Sequence, residues 1–76
     1  MRARKKPVVV EVEQFTGKAP DPAGVRRDDA GRPFVVTAHD QPVFLEPGDW
    51  IAPEPGGRGY YPIKADIFAT TYEVLD

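Results

Sequence analysis

The chain reads EPGDWI at residues 46–51, GYYPIKADIF at residues 59–68 and TYE at residues 71–73. These segments hold the only tryptophan, all three tyrosines and one of the four phenylalanines. Pro47-Gly48 predicts a type II turn, because proline presets φ at the first central position and glycine accepts the positive φ of the second. Large rings between tight turns let a short chain close a core. This region therefore limits the possible folds, but it does not define an activity.

Length and composition allow one small domain over residues 1–76, with a marginal core. The chain has no cysteine, which excludes disulfides, thiolate metal ligands and cysteine nucleophiles. The apolar run at residues 8–10 ends at Glu11 and is too short for a signal-peptide core or a membrane span. We therefore expect a cytoplasmic protein that does not bind membranes.

Charge is unevenly distributed along the chain. Four of the ten cationic residues lie within residues 1–6, although the formal net charge of the chain is −2. We interpret residues 1–6 as a solvated basic arm, although such an arm can also contact phosphates or anionic lipid. Because no basic stripe continues beyond it, nucleic acid is not an expected partner.

The apolar pattern predicts a mainly β fold: a small antiparallel sheet rolled into a partly open barrel, with one short helical turn near the C-terminus. The gap at residues 16–33 is rich in glycine and proline, and we interpret it as a mobile surface loop with room for a helical turn at residues 23–27. Tight turns are expected at residues 29–32, 39–42, 47–49 and 53–59. The expected elements are strands at residues 7–15, 34–38, 43–45, 50–52, 60–64 and 72–75 and a helical turn at residues 65–70.

Both ends of the chain carry blocks that are more specific together than singly: RKKPVVVE at residues 4–11, QFTG at 14–17, PGDWI at 47–51 and GxYPxKxDIFxxTYE at 59–73. In these blocks the chain resembles a family of short, mostly uncharacterised bacterial and bacteriophage proteins. Val12 and Glu13 depart from the family pattern, as does Ala65, which replaces a proline that would start the helical turn more rigidly. The resemblance implies a small stand-alone bacterial or phage domain and transfers no chemistry.

The sequence offers little for catalysis. His39 is the only histidine, and the chain contains no serine. Neither the threonines nor the tyrosines lie in a nucleophile pattern. An enzyme would have to unite Asp49, Asp66 and His39, and nothing in the sequence predicts the opposed pKa shifts that an acid and a base require. We expect no catalytic residue, no metal site and no cofactor.

A candidate ligand-binding set combines cationic, aromatic and amide side chains. Arg58 lies in a glycine-rich turn whose amides can surround an anion. Tyrosines next to cationic side chains are typical of surfaces that stack on nucleotide bases. Alternation places Tyr60 and Tyr61 on opposite faces, so at most one joins the core and the other is exposed. The candidate residues are Gln14, Arg58, Tyr60, Tyr61 and Lys64.

Other residues are assigned structural roles. We expect Asp49 to accept a hydrogen bond within its own turn, and Asp66 to accept one at the start of the helical turn. Gln14, Lys64 and Asp66 are expected to form a structural hydrogen-bond cluster in preference to a ligand site. The structural set is Pro47, Gly48, Asp49, Trp50, Asp66, Phe68 and Tyr72.

The function expected from the sequence is that of a non-catalytic binding domain, a phage or prophage accessory protein that binds a small anionic or nucleotide-like ligand. The alternative is a module for protein–protein interaction or self-association. In that alternative the strand at residues 8–12 pairs with its twin or with another chain, which gives a homo-oligomer or a heteromeric complex.

Overall fold

The structure is a computed structural model that describes residues 1–4 and 9–75. Its described residues form six strands and one helix, so the mainly β class with a short C-terminal helix is confirmed. In chain order the elements are β1 (Glu13–Gln14), β2 (Arg26–Arg27), β3 (Pro33–Val36), β4 (Pro42–Phe44), β5 (Trp50–Pro53), β6 (Tyr60–Ile63) and α1 (Ala65–Thr71).

The strands form two antiparallel three-stranded sheets. The first has the order β1-β5-β6 and the second the order β2-β3-β4. Over the residues that the structure describes, neither sheet is closed, and the two meet where β3 contacts β6. In the first sheet Trp50 pairs with Ile63, Ala52 with Tyr61, and Pro53 with Tyr60.

The core consists of two apolar clusters on opposite faces of the β5–β6 ribbon. Successive side chains of a strand point to opposite faces, so neighbours along β5 and β6 contribute to different clusters. The first cluster comprises Phe15, Val35, Leu45 and Ile51, with Tyr60 half-buried against it. The second cluster comprises Ala52, Ile63 and Phe68, surrounded by Trp50, Tyr61 and Tyr72.

Helix α1 completes the second cluster through Phe68, whose side chain is 5% exposed. The Trp50 and Phe68 rings are stacked at 4.1 Å between centroids, and the Phe68 and Tyr72 rings at 5.0 Å. The helix begins after Lys64 and ends at Tyr72, whose amide donates to the carbonyl of Phe68. Asp66 lies in the first turn, where its Oδ1 accepts from the Ile67 amide at 2.9 Å.

Local turn chemistry agrees with the sequence. The Asp49 amide donates to the Glu46 carbonyl at 3.0 Å, and Gly48 has φ +102°, as the type II turn requires. The turn before β3 is also present, because the Gly31 amide donates to the Asp28 carbonyl at 2.8 Å.

Three expected elements differ from the structure. The strand expected over residues 7–15 pairs with β5 only at β1. In the same register Glu11 opposes Pro53, which has no amide hydrogen to extend the ladder; residues 7 and 8 lie outside the described residues. The expected strand at residues 72–75 is absent, and Val74 and Leu75 are 62% and 69% exposed.

The third difference concerns the glycine- and proline-rich gap. The helical turn considered at residues 23–27 is replaced by strand β2, in which Arg26 pairs with Phe34 and Arg27 with Pro33. Extended pairing with β3 satisfies the backbone there without a helix. The mobility expected for residues 16–33 stays a prediction. In the described part of the chain, no helix has both the length and the apolar character needed to cross a membrane.

Candidate functional site

A cavity of about 310 Å³ lies between the end of β3, the start of β6 and the segment that leads into β2. Three charged side chains, Arg26, Asp40 and Arg58, line it together with the ring of Tyr60. The rest of its wall is formed by small or apolar residues: Gly24, Val36, Thr37, Ala38 and Gly59. We call this the arginine cavity.

Two glycines allow the backbone approaches that shape the arginine cavity. A Cβ atom on Gly59 would lie 2.6 Å from the Val36 carbonyl oxygen, and one on Gly24 would lie 2.4 Å from the Tyr60 ring. Both glycines also have φ +90°, a region that other residues rarely adopt. By contrast, Gly31 and Gly56 have open space around the same position. Glycine is therefore required at the two positions that bring the cavity walls together.

Hydrogen bonds tie the turn between β5 and β6 to the cavity wall. Glu54 Oε2 accepts from the Ala38 amide at 2.8 Å, and the Glu54 amide donates to the Gly59 carbonyl at 2.9 Å. In the turn between β3 and β4, the Thr37 amide donates to the Gln41 carbonyl at 3.0 Å. Hydrogen bonds therefore hold the backbone segments that carry the side chains of the cavity.

The arginines of the arginine cavity differ from the neighbouring arginines in their ion pairing. Arg27 Nη2 lies 2.9 Å from Asp21 Oδ1, and Arg32 Nε lies 2.8 Å from Asp28 Oδ2. Within residues 1–4 and 9–75, no such ion pair engages Arg26 or Arg58. The cavity therefore presents two guanidinium groups, which bind carboxylate or phosphate oxygens through paired N–H groups.

A second cavity of about 240 Å³ shares Tyr60 as a lining residue with the arginine cavity. Its walls are mainly apolar, and Glu11 and Glu13 carry its charge. It is lined by Glu11, Val12, Glu13, Ala23, Ile51, Pro53 and Tyr60. Tyr60 thus lines both a cavity with two arginines and a cavity with two glutamates.

The residues proposed from sequence as ligand-binding do not form one site. Arg58 and Tyr60 line the arginine cavity, whereas Tyr61 lies on the opposite face in the second cluster. The neighbouring Tyr72 hydroxyl, together with burial, raises the pKa of Tyr61. The expectation that one of the two tyrosines is exposed is wrong, because Tyr60 is half-buried against the first cluster. Gly24 explains this, since it lets the backbone cover the ring.

Gln14 and Lys64 converge on the turn at residues 46–49. Gln14 Nε2 donates to the Gly48 carbonyl at 3.2 Å. Lys64 Nζ lies 3.4 Å from Asp49 Oδ1 and 3.5 Å from Glu46 Oε2. Desolvation opposes the charge on Lys64, but the two carboxylates outweigh it and raise the pKa of this lysine.

Asp49 is the buried centre of that turn, with 3% of the residue exposed. Its Oδ2 accepts from the Glu46 amide at 2.9 Å, as the sequence predicts for a turn aspartate. Its backbone carbonyl accepts from the Phe15 amide at 2.7 Å. These hydrogen bonds hold the turn at residues 46–49 against the core. The Lys64 ammonium group is directed to carboxylates of the protein itself.

Sequence reasoning missed Arg26 and Asp40. Arg26 lies in the gap interpreted as a loop, and Asp40 lies in the turn expected at residues 39–42, which carries no predicted ligand-binding residue. The adjacent arginines Arg26 and Arg27 were an available signal, because alternation in a strand sends them in different directions. His39 does not line the arginine cavity, and the described residues contain no group of three potential metal ligands.

Comparison with known proteins adds no assignment. No protein-family model matches the chain, and no curated protein and no solved structure matches it.

Proposed function

We propose that this chain is a non-catalytic binding domain that holds a small anionic or nucleotide-like ligand in the arginine cavity. The observation that carries the proposal is the presence of Arg26 and Arg58, without a described carboxylate partner, beside the Tyr60 ring. Guanidinium groups recognise phosphate oxygens by charge and geometry. A tyrosine ring can add about 1–3 kcal/mol per stacked base.

The size and composition of the cavity support binding of one small molecule. Its volume of about 310 Å³ is at the lower end of the range for small-molecule sites, roughly 300–1,000 Å³. The ionisable side chains that line it are Arg26, Asp40, Arg58 and Tyr60. Binding is the function that this set supports best.

The test is a titration of ¹⁵N-labelled protein followed by NMR, with adenosine 5′-monophosphate, inorganic phosphate and adenosine as probes. We expect the nucleotide to bind most tightly and to shift amide signals of residues 24–26, 36–40 and 58–60. Arg26→Gln and Arg58→Gln should each weaken nucleotide binding about tenfold, the effect of losing one charged hydrogen bond.

The matched control is Lys18→Gln, which removes one positive charge outside the cavity. This variant should bind the nucleotide as the parent chain does. If no anion shifts the cavity amides, the proposal is wrong. If Lys18→Gln weakens binding as much as Arg58→Gln, the binding is non-specific attraction to net charge.

Self-association is the second candidate function, and the position of β1 favours it. β1 is an edge strand of the first sheet, and Val9, which precedes it, is 78% exposed. Unpaired edges can pair with a second chain. Light scattering over a concentration series tests this candidate: Val9→Lys should abolish a dimer, and a concentration-independent monomer in the parent chain rejects the candidate.

The setting that we propose is a phage or prophage accessory protein in the bacterial cytoplasm. This proposal is supported by the sequence blocks at residues 4–11, 14–17, 47–51 and 59–73, and it does not depend on the cavity. The genomic neighbourhood tests it, because phage genes on both sides support the setting and an isolated housekeeping position contradicts it.

A further inference from the structure

The arginine cavity contains a negative charge that a simple anion site does not need. Asp40 lines the same cavity as Arg26 and Arg58. In the described part of the chain, no ion pair joins Asp40 to either arginine. The lining of the cavity therefore carries two guanidinium groups and one carboxylate that has no described ion pair with either.

The backbone holds Asp40 in this position. Its amide donates to the Thr37 carbonyl at 3.0 Å, and its φ of +59° is the left-handed conformation that aspartate and asparagine tolerate better than most residues. The turn after β3 therefore presents the carboxylate beside the cavity wall formed by Thr37 and Ala38.

A carboxylate near an anion site lowers affinity for a bare anion, because like charges repel. The same group raises affinity when the ligand carries hydrogen-bond donors a few ångströms from its anionic group. Ribose hydroxyls are such donors, and a carboxylate that accepts from them is a general way to recognise a ribonucleotide. A ligand with an anionic end, a diol and a planar ring matches the two arginines, Asp40 and Tyr60.

We infer that Asp40 accepts hydrogen bonds from the sugar hydroxyls of the ligand, so that the cavity selects a ribonucleoside monophosphate over a simple anion. This inference rests on the function proposed for the same cavity. It assigns three roles: Arg26 and Arg58 bind the phosphate, Tyr60 stacks on the base, and Asp40 distinguishes ribose from a sugar without hydroxyls.

Asp40→Asn tests the inference, because the substitution should change affinity in opposite directions for different probes. The probes are adenosine 5′-monophosphate, its 2′,3′-dideoxy analogue and inorganic phosphate, titrated by NMR at low ionic strength. The variant should bind adenosine 5′-monophosphate about tenfold more weakly, since a charged acceptor is lost. It should bind inorganic phosphate and the dideoxy analogue about threefold more tightly, since a repelling charge is removed.

Asparagine tolerates the positive φ at this position, so the variant should keep its fold. Asp29→Asn is the matched control, because it removes a carboxylate from the β2–β3 turn outside the cavity. It should change the affinity for all three probes equally and slightly.

Two outcomes overturn the inference while the proposed function stands. One is a gain in affinity for all three probes on Asp40→Asn, which makes Asp40 only a repelling charge. The other is a preference of the parent chain for phosphoethanolamine over adenosine 5′-monophosphate, lost on Asp40→Asn, which assigns Asp40 to an ammonium group. If none of the probes binds the parent chain, the proposed function and the inference fall together.

Discussion

The two faces of the β5–β6 ribbon use aromatic rings in opposite ways. On one face Trp50 stacks on Phe68 and Phe68 on Tyr72, so each ring is held by another ring. On the other face the Tyr60 ring lies against the backbone at Gly24 and lines both cavities. Ring-on-ring packing contributes stability, whereas a ring held by backbone beside open space is available to a ligand. Alternation along two short strands thus places the ring stack on one face and the candidate site on the other, beside the first cluster.

The largest expected effect comes from breaking the stacked face. Phe68→Ala removes the ring between Trp50 and Tyr72 and should lower the free energy of unfolding by about 3–5 kcal/mol. A domain of this size has a net stability of about 3–5 kcal/mol, so the variant should be largely unfolded at 25 °C. Urea denaturation followed by circular dichroism and Trp50 fluorescence measures the loss.

Phe44→Ala is the matched control for that prediction. Phe44 is 48% exposed, and its ring contacts Phe34 at 5.8 Å between centroids. Its removal should lower the free energy of unfolding by about 1 kcal/mol, the added value of an aromatic pair. Equal losses for the two variants would mean that the stacked face has no special part in stability.

The next largest effect is expected when the close backbone approach at the arginine cavity is disrupted. Gly59→Ala places a Cβ 2.6 Å from the Val36 carbonyl oxygen at a φ of +90°. The clash and the backbone strain should together lower the free energy of unfolding by about 2–3 kcal/mol. They should also abolish nucleotide binding, because β6 can no longer approach β3. Thermal denaturation and the NMR titration measure the two effects.

Gly56→Ala is the control that introduces the backbone strain of a positive φ without the steric clash. Gly56 has φ +89° but nothing within 4 Å of its Cβ position, so only the backbone strain applies and the loss should be about 1 kcal/mol. Binding should be retained. If Gly56→Ala and Gly59→Ala behave alike, the close approach does not shape the cavity.

The sequence predicts this fold where local chemistry decides it. Turn residues identify the reversal at residues 46–49, and alternation identifies strands within a residue or two of β3, β4, β5 and β6. Helix α1 also starts at the expected position. These features depend on neighbours in the chain, so a single sequence contains the information needed.

Features that depend on distant contacts were not predictable. Strand β1 pairs with β5 only at Glu13 and Gln14, two residues short of the position opposite Pro53, and strand β2 exists because residues 26 and 27 reach β3 across a turn. The candidate site combines residues 24–26, 36–40 and 58–60, which meet only after both sheets have formed. A glycine-rich turn marks Arg58 and neighbouring cationic side chains mark Tyr60, whereas no local pattern marks Asp40.

A smaller loss of stability is expected when Asp49 is substituted. This buried carboxylate accepts from the Glu46 amide, and its backbone carbonyl accepts from Phe15 of the first cluster. Asp49→Ala should lower the free energy of unfolding by about 1–3 kcal/mol, because it leaves the Glu46 amide without its partner. Urea denaturation measures the loss.

Lys64→Met tests whether Lys64 contributes as much to stability as Asp49, the carboxylate that it contacts. The Lys64 side chain is 53% exposed, and exposed ion pairs contribute little because water and salt screen them. The loss for Lys64→Met should therefore be clearly smaller than the loss for Asp49→Ala. Equal losses would identify the ion pair, and not the turn hydrogen bond, as the source of the stability.

The smallest effect on stability is expected at acid pH, and it should concern the second sheet, which lies beside the cavity. The Arg27 side chain donates to Asp21 and lowers the pKa of that carboxyl group, and the Arg32 amide and side chain lower the pKa of Asp28. A carboxyl group with a lowered pKa in the folded state stabilises the fold above its usual value of 3.8. That stability is lost as the pH falls through the lower folded value.

Urea midpoints measured from pH 7 down to pH 2.5 should therefore decline below about pH 4. Asp28→Asn should make that decline shallower, whereas Asp29→Asn, in the same turn but without a described ion pair, should not. Amide signals of residues 21–32 should weaken at a higher pH than those of Trp50 and Phe68, because both ion pairs lie at the second sheet. If all signals are lost together, the two faces unfold as one unit and their separation applies to ligand binding alone.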